Sequence, residues 1–496
     1  MNILPETDVL ATENLTEVYE DFKKVLVQAV RQNQPVHEIE KAVWEQLLRL
    51  GRQALAQIFR LLGNGDMGET VTLPDGHCCQ RLKEEHTRRY VSIFGEFRLS
   101  RVVYGSREGQ KIEFVPLDNR LQLPASPFSY LLQDWDQSLC VEQAFGQSRT
   151  TVQRMLGLRQ SVDSLEQMNQ DMAQEATNFM LSRPQPEAEG EVVVASADQK
   201  GIVMRRAVDD PPPKAHRTKG DKASQKRMAT VATVYSVDRH RRTPEEVVAA
   251  LFRDAPEPSR QRPKPQHKEV WASLPREEVP GSGIECAFAW MVGELYLRGR
   301  VKDKPLVFLS DGQEALWDAR HEWLPERAVD ILDLLHVTPR LWKAAHVFHK
   351  EGSQAAEAFV RERLLRVLQG KAEGVIRGLR EMATKRGLVG AKKRALSVVC
   401  GYLEANLSRM RYDEYLQAGY PIASGVVEGA CRHLIKDRME RAGMHWTMAG
   451  AQAMLDVRSI HVSGLWDEYQ DYRVAREIAT LYPHGTLVEE TFAMAA

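Results

Sequence analysis

The sequence predicts an α/β chain (α+β overall): a mixed sheet carrying a helical insertion, preceded by a mainly helical N-terminal region with a β-hairpin. Three observations predict it. From about residue 190 the apolar pattern reads strand, strand, strand, helix, strand, helix, strand, then a helical block and more helix. Hairpin connections come first and helical crossovers later, which a mixed sheet with helices on its faces requires. Before residue 190 helical spacing dominates, broken by one hairpin pattern. This is the element order of a ribonuclease H-like fold.

The elements follow in order. Residues 1 to about 40 are acidic and polar and read as a loose helical lead-in. From Lys41 to Leu62 apolar residues recur at helical spacing, and Gly63-Asn64-Gly65 should end that helix. Tyr90–Phe94 and Phe97–Tyr104 flank Gly95-Glu96 and read as a hairpin. Residues 127–181 look helical. Within them SLCVEQAF, Gly146 and SRTTVQRMLGL outline a helix-turn-helix, or a plain helical hairpin. In the first reading Arg149, Thr150, Gln153 and Arg154 would face a major groove.

The segment 181–191 is a linker by composition. Beyond it, VVVASADQKGIVMRRA reads as two short strands, PPPKAHRTKGDKASQKR as a loop and MATVATVYSVD as a longer strand. Residues 239–282, rich in Pro, Arg and Glu, read as irregular. GIECAFAWMVGELYLRG is a helix, KPLVFLSDG a buried strand ending in a turn, Gln313–Trp323 a helix and AVDILDLLHV a strand. Helices fill about 338–418, and another starts near Ser424. The implied segments are 1–125, 126–190, 191–337, 338–420 and 421–496.

Composition bounds the function. The 496 residues carry 67 Lys+Arg against 68 Asp+Glu, with 43% hydrophobic and 27% charged residues. That excludes collagen-like, fully disordered and disulfide-dense classes, and gives no bulk signal for a nucleic-acid partner. No apolar run approaches the roughly 18 residues that span a membrane. The acidic N-terminus lacks the pattern of a secretory signal. Six cysteines form no CxxC pair, so a reduced cytoplasmic compartment is expected and no zinc site is evident.

Three carboxylates stand where the fold would bring chemistry together. Asp198 ends EVVVASAD, Asp311 ends PLVFLSD, and Glu428 lies just inside the helix whose N-cap is Ser424. Magnesium takes oxygen ligands, and two such ions about 3.5–4 Å apart can hold the attacking and leaving oxygens of a phosphoryl displacement. The gaps of 113 and 117 residues mean that only the fold could assemble them. Each residue alone also reads as a turn, a cap or a complement to a helix dipole. Asp238, Asp333 and Glu440 are competing carboxylates. Arg432 and Lys436 follow Glu428 at i+4 and i+8, a helical face suited to a phosphate or to plain Glu–Arg pairing. Trp446 reads as core or as a platform for an unpaired base.

Together ASADQKG, FLSDG, DLLHV and SGVVEGACRHLIKDRMERAGMHW resemble bacterial insertion-sequence transposases of the ISKra family. The likeness covers about 190–465, with a looser match through RRYVSIFGEFRLSRVVYG and the PLD at 116–118. It implies a DDE enzyme with a ribonuclease H-like core. Asp198, Asp311 and Glu428 would be its catalytic residues and the ligands of two Mg²⁺ (or Mn²⁺) ions. Asp333 and His336 resemble the Asp/Cys-x-x-His signature of Mutator-like transposases. His336 would position a phosphate or base near the site, or act as a structural hydrogen-bond donor. The family's cysteine-bearing segment after the hairpin is SREGQKIEFV here, without cysteine, which argues against a metal-bound module there.

The resemblance further implies double-stranded DNA as partner, transposon ends and target alike, no membrane, and a homodimer or larger assembly on the nucleoid. Basic residues fit that path locally. Lys200–Arg227, including Lys219 and Lys222, holds nine Lys/Arg against three Asp, and Lys385, Arg386, Lys392, Lys393, Arg394, Arg409 and Arg411 gather in the insertion. Two other classes remain open at this stage: a ribonuclease H-like nuclease without strand transfer, and a non-catalytic DNA-binding protein derived from a transposase.

Overall fold

The computed structural model describes residues 14–84, 86–107, 112–184, 186, 188–206, 226–254, 262–275, 282–299 and 303–483. No helix among them is long and apolar enough to cross a membrane. Two units divide the chain: Met1–Met172 with Asp467–Ala496, and Ala173–Trp466.

In the first unit, α1 (Leu15–Arg31) starts at a capping box between Asn14 and Glu17. Helix α2 (Val36–Leu62) begins five residues before the expected Lys41, because Pro35 supplies the extended N-cap backbone. It stops as expected at Gly63, whose φ of +68° a side chain would resist. Strands β1 (Thr70–Thr72) and β2 (Cys78–Arg81) follow. The hairpin is β3 (His86–Ser92) and β4 (Gly95–Arg101). Ser92 pairs with Gly95, so the turn is Ile93-Phe94, two residues earlier than expected. Packing sets that register: Tyr90 lies opposite Phe97, and both meet the Phe59 ring edge-on.

Strand β5 (Tyr104–Gly105) completes a three-stranded sheet in the order β1-β2-β5. The PLD motif opens α3 (Pro116–Leu121), where buried Asp118 pairs with Arg88 at 2.7 Å and with Arg101. Helices α4 (Tyr130–Cys140), α5 (Phe145–Leu156) and α6 (Val162–Ala173) follow. Gly146 is not the turn: it lies in the first turn of α5, and Val141–Ala144 make the connection.

In the second unit a short α7 (Ala176–Ser182) leads to β6 (Val192–Val203) and β7 (Lys226–Val237). The expected pair of short strands is one strand, β6, because pairing with β7 runs unbroken from Val192 to Val203. The stretch expected to be irregular contains α8 (Pro244–Leu251), with a Thr243–Glu246 capping box, and β8 (Gln266–Ser273). Then come α9 (Gly283–Leu297), β9 (Leu306–Ser310), α10 (Glu314–Trp323) and β10 (Val329–Leu332). The sheet order is β10-β9-β6-β7-β8, with β7 antiparallel to both neighbours and β6, β9 and β10 parallel. This is the mixed sheet of a ribonuclease H-like core.

Its two faces bury different helices. Phe308 and Trp271 pack on Phe288 and Trp290 of α9, and Phe308 also on Trp317 of α10. Alternate residues, Val192, Val194, Val307, Leu309 and Ile331, join the apolar core of the insertion. That insertion comprises α11 (Leu334–Phe348), α12 (Gln354–Leu368), α13 (Ala372–Lys385), α14 (Gly390–Ala405) and α15 (Tyr412–Ala418). The chain then returns through α16 (Gly425–Ala430), a π-helical stretch (Cys431–Lys436) and a last turn (Asp437–Met439). Helix α17 (Met448–Ser463) packs on β8, and α18 (Trp466–Leu481) carries the chain back to the first unit.

Candidate active site

The sheet register aligns three aspartates. Ala197 of β6 pairs with Ser310 of β9, and Ser310 pairs with Leu332 of β10. The next residue on each chain is Asp198, Asp311 and Asp333. Three adjacent parallel strands, about 4.8 Å apart, therefore each deliver an aspartate at the same edge. All three continue the alternation that faces the insertion.

Each carboxylate has a defined setting. Asp198 is half-buried: Oδ1 accepts from the Gln199 amide at 2.7 Å, and Oδ2 from the Cys431 thiol at 3.4 Å. Asp311 Oδ1 accepts from Gln313 N at 2.9 Å, and its carbonyl from the Trp317 indole at 2.7 Å. The side-chain amide of Gln313 donates to Gln199 at 2.6 Å, tying the turn after β9 to β6 beside Asp198. A Cβ at Gly312 would sit 2.3 Å from the Tyr402 ring, so only glycine allows that ring to close over the Asp311 turn.

Asp333 differs. It is fully buried and caps α11, not the middle of a strand as the sequence implied. Its side chain accepts from Leu335 N at 2.8 Å, from Ser424 N at 3.2 Å and from the Ser424 hydroxyl. Those bonds fasten the N-terminus of α16, the helix that carries Glu428. His336 therefore lies in the first turn of α11. Its Nε2 is 3.6 Å from Glu428 Oε1 and 3.8 Å from Asp333 Oδ2.

The helix after Glu428 has a physical reason to be irregular. Arg458 of α17, almost fully buried, donates to the Leu434 carbonyl at 3.1 Å and to the His433 carbonyl. Carbonyls drawn out of the regular ladder find a partner there, which stabilises the wider winding. The i+4, i+8 alignment of Arg432 and Lys436 with Glu428 assumed α-helical winding that Cys431–Lys436 lacks. Both are exposed, and Arg432 Nε lies 3.6 Å from Asp437.

Electrostatics bind the cluster together. Burial raises the Asp311 pKa first, and the nearby Asp198 charge raises it further, while His336 and Arg340 lower it. Glu428 is raised by burial, then by Asp333, with His336 opposing and Asp198 adding to the rise. Asp333 is raised by burial and held down partly by Ser424 and Leu335. Burial is the first cause at each carboxylate and neighbouring negative charge adds to it at Asp311 and Glu428, a combination that a bound cation would relieve. The donor group whose atoms all lie within 4.8 Å here is Asp333, His336 and Glu428, not Asp198, Asp311 and Glu428.

Sequence reasoning missed Arg340 and Cys431. Arg340 follows His336 by one helical turn and stacks over the Tyr402 ring at 4.3 Å. Its i+4 spacing from His336 was the available signal. Of the competing carboxylates Asp333 belongs to this cluster, and the other two are elsewhere. Asp238 follows Val237, which pairs with Val192 at the opposite end of β6, and Glu440 faces Lys226 at 3.3 Å and Lys200 at 3.9 Å. Trp446 is core: it is buried, its indole donates to the Met439 carbonyl, and its backbone pairs with Val203 and Arg205.

The other predicted DNA contacts fall in different places. Arg149, Gln153 and Arg154 are exposed on α5 in the first unit. Lys219 and Lys222 lie outside the described residues. Lys385, Arg386, Lys392, Lys393 and Arg394 are exposed, whereas Arg409 stacks on Trp317 at 4.2 Å and Arg411 pairs with Glu414 at 3.1 Å.

No family model and no curated protein matches the chain. Among solved structures it is similar to the Drosophila P element transposase strand transfer complex, at 11% identity over 73% of this chain and 82% of that chain, with a TM-score of 0.24. A TM-score this low does not by itself establish a shared fold.

Proposed function

We propose that this chain is a DNA transposase that cuts DNA at the ends of an insertion sequence and joins the freed ends to target DNA. The observation that carries the reading is the alignment of Asp198, within β6, and Asp311, just after β9, at one level of two adjacent parallel strands, with Glu428 close enough to feel the Asp198 charge. The donor set fits magnesium or manganese: carboxylate oxygens, raised at Asp311 and Glu428 by burial first and by neighbouring carboxylates after it. Asp198, Asp311 and Glu428 would hold the ions, and Glu428 would orient water. When bound, such ions supply Lewis-acid stabilisation of the phosphate and a more acidic water.

The chain's own residues supply position and charge. Water attacks phosphorus at the element end, the bond from phosphorus to the 3′ oxygen breaks, and a 3′-OH is left. That hydroxyl then attacks a target phosphate, again exchanging one phosphorus–oxygen bond for another. His336 and Arg340, on consecutive turns of α11, offer an imidazole N–H and a guanidinium to the non-bridging oxygens. Asp333 acts through Ser424, holding the Glu428 helix at a fixed distance from the strand ends. The α5 residues Arg149, Gln153 and Arg154 would read DNA, with Arg432, Lys436, Lys219 and Lys222 on its backbone. Joining two ends calls for at least a dimer.

Strand transfer separates this reading from a simple nuclease. Pre-cleaved DNA from the flanks of the encoding locus, carrying a 3′-OH, is incubated with the protein, Mn²⁺ and a supercoiled plasmid. A transposase yields covalently joined products. Nicking or degradation without any joined strand would contradict the proposal.

A further inference from the structure

A second cluster of metal-ligating side chains lies in the first unit, far in sequence from the carboxylates. Cys79 of β2 points inward and is fully buried beside Val71, Val102 and Phe114. Its thiol lies 3.5 Å from Glu113 Oε2. The same carboxylate oxygen is 2.7 Å from His77 Nε2. Sulfur, imidazole nitrogen and carboxylate oxygen all lie within 4.8 Å of one another.

The group is oriented from outside. Ser106 N donates to Glu113 Oε1 at 3.0 Å, and the Ser106 hydroxyl donates to the same oxygen. That leaves Oε2 to face the cysteine and the histidine. Asp75 Oδ1 accepts from His77 N at 2.9 Å and fixes the backbone where the imidazole starts. Metal ligands are commonly held by such outer hydrogen bonds. His77 is the exposed member, with 45% of its side chain accessible, so the cluster opens to solvent on that side.

One Cys, one His and one Glu are zinc ligands by chemical type. Zn–S near 2.3 Å and Zn–O near 2.0 Å at a tetrahedral angle separate sulfur from oxygen by about 3.5 Å. The observed separation is 3.5 Å. The imidazole needs a small outward turn, since its 2.7 Å contact must open to about 3.3 Å around a shared ion.

We propose that His77, Cys79 and Glu113 form a zinc-binding site, with water at the fourth position. This inference is independent of the transposase reading. The ion would tie the β1–β2 strands to the segment that leads into α3, cross-linking a sheet of three very short strands. No CxxC spacing announces it, and it departs from the expectation drawn from the cysteine-free SREGQKIEFV, since Glu113 of that segment is the third ligand, 34 residues beyond Cys79 of the His-x-Cys pair.

Cobalt is the probe. The full chain, stripped with chelator and kept in excess Mg²⁺, is titrated with Co²⁺ and then with Zn²⁺. The expected result is a saturable thiolate-to-cobalt absorption band at one equivalent, erased by Zn²⁺. Cys79→Ser should lose it, and His77→Ala and Glu113→Gln should weaken Co²⁺ affinity by about tenfold or more. Cys78→Ser and Cys431→Ser should keep it. No saturable band in the wild type, a band that survives Cys79→Ser, or one that vanishes with Cys431→Ser would overturn the site. If Cys79→Ser fails to fold, unchanged affinity in both His77→Ala and Glu113→Gln overturns it instead.

Discussion

The Ser424 hydroxyl donates to the buried Asp333 carboxylate, and the Ser424 amide donates to the same side chain at 3.2 Å. This pair joins the end of β10 to the start of the helix bearing Glu428, across 91 residues of insertion. The insertion can therefore vary its packing without moving Glu428, provided this link holds.

Asp333→Ala should cost stability and geometry together. Hydrogen bonds to a charged group are worth about 1.5–3 kcal/mol each, so losing this capping carboxylate should lower the unfolding free energy by about 3 kcal/mol. Urea denaturation measures that loss. Ser424→Ala should lose less, about 1–2 kcal/mol, because the amide still reaches Asp333. A variant as stable as wild type would show that Asp333 is not the anchor.

In chelator the site should be destabilised by the burial of its carboxylates and, after that, by their mutual repulsion. Asp311 and Glu428 have pKa values raised above the ordinary 3.8 and 4.5. A carboxyl raised in the folded state stabilises the fold below its unfolded pKa, and loses that contribution as pH rises through the folded value. Asp311→Asn in chelator should therefore melt at a higher temperature than wild type at pH 7, and the gap should close toward pH 3. Thermal unfolding at the two pH values checks the sign.

Asp136 gives a separate pH test in the first unit. It is fully buried in α4, and burial raises its pKa to about 7 despite a 2.8 Å bond from Gln160. Stability from its protonated form is complete below pH 3.8 and lost as pH rises through 7. At about 1.4 kcal/mol per unit, Asp136→Asn should gain on the order of 4 kcal/mol over wild type at pH 8 and nothing near pH 3.5. Urea denaturation at both pH values would expose a flat difference, which is the contrary result.

Arg458 should matter to the helix it serves. Arg458→Met keeps most of the volume but leaves the Leu434 and His433 carbonyls without their donor. At about 1–3 kcal/mol for each buried group left unmet, a loss near 3 kcal/mol is expected, with reduced cleavage because the winding after Glu428 relaxes. Denaturation and a cleavage assay on one preparation measure both.

Much of this was legible in the sequence because local signals and fold agreed. EVVVASAD and PLVFLSD announce buried strands carrying carboxylates, and the run of hairpins then crossovers announces a mixed sheet, although β6 runs on past Asp198 and β8 lay in a stretch that read as irregular. Thr243-Pro-Glu-Glu246 carried a capping-box signature that the charge-rich surroundings masked. DLLHV misled because three apolar residues around a histidine fit strand and helix equally, and only the Ser424 contact makes Asp333 a cap. The π-helical stretch could not be read at all, since its cause, Arg458, lies more than 20 residues away. The His77–Cys79–Glu113 group was hidden for the same reason: two distant segments meet only after the sheet forms.

Divalent-metal-dependent cleavage of element-end DNA tests the central claim most directly. DNA spanning the flanks of the encoding locus is incubated with wild type, Asp198→Asn, Asp311→Asn and Glu428→Gln, with Mg²⁺, with Mn²⁺ and with chelator. Wild type should nick at the end only with metal, leaving a 3′-OH, and each variant should lose at least about a thousandfold in rate while staying folded by thermal melt. Cleavage by Asp198→Asn or Glu428→Gln at the wild-type rate, or wild-type cleavage undiminished in chelator, would contradict the account.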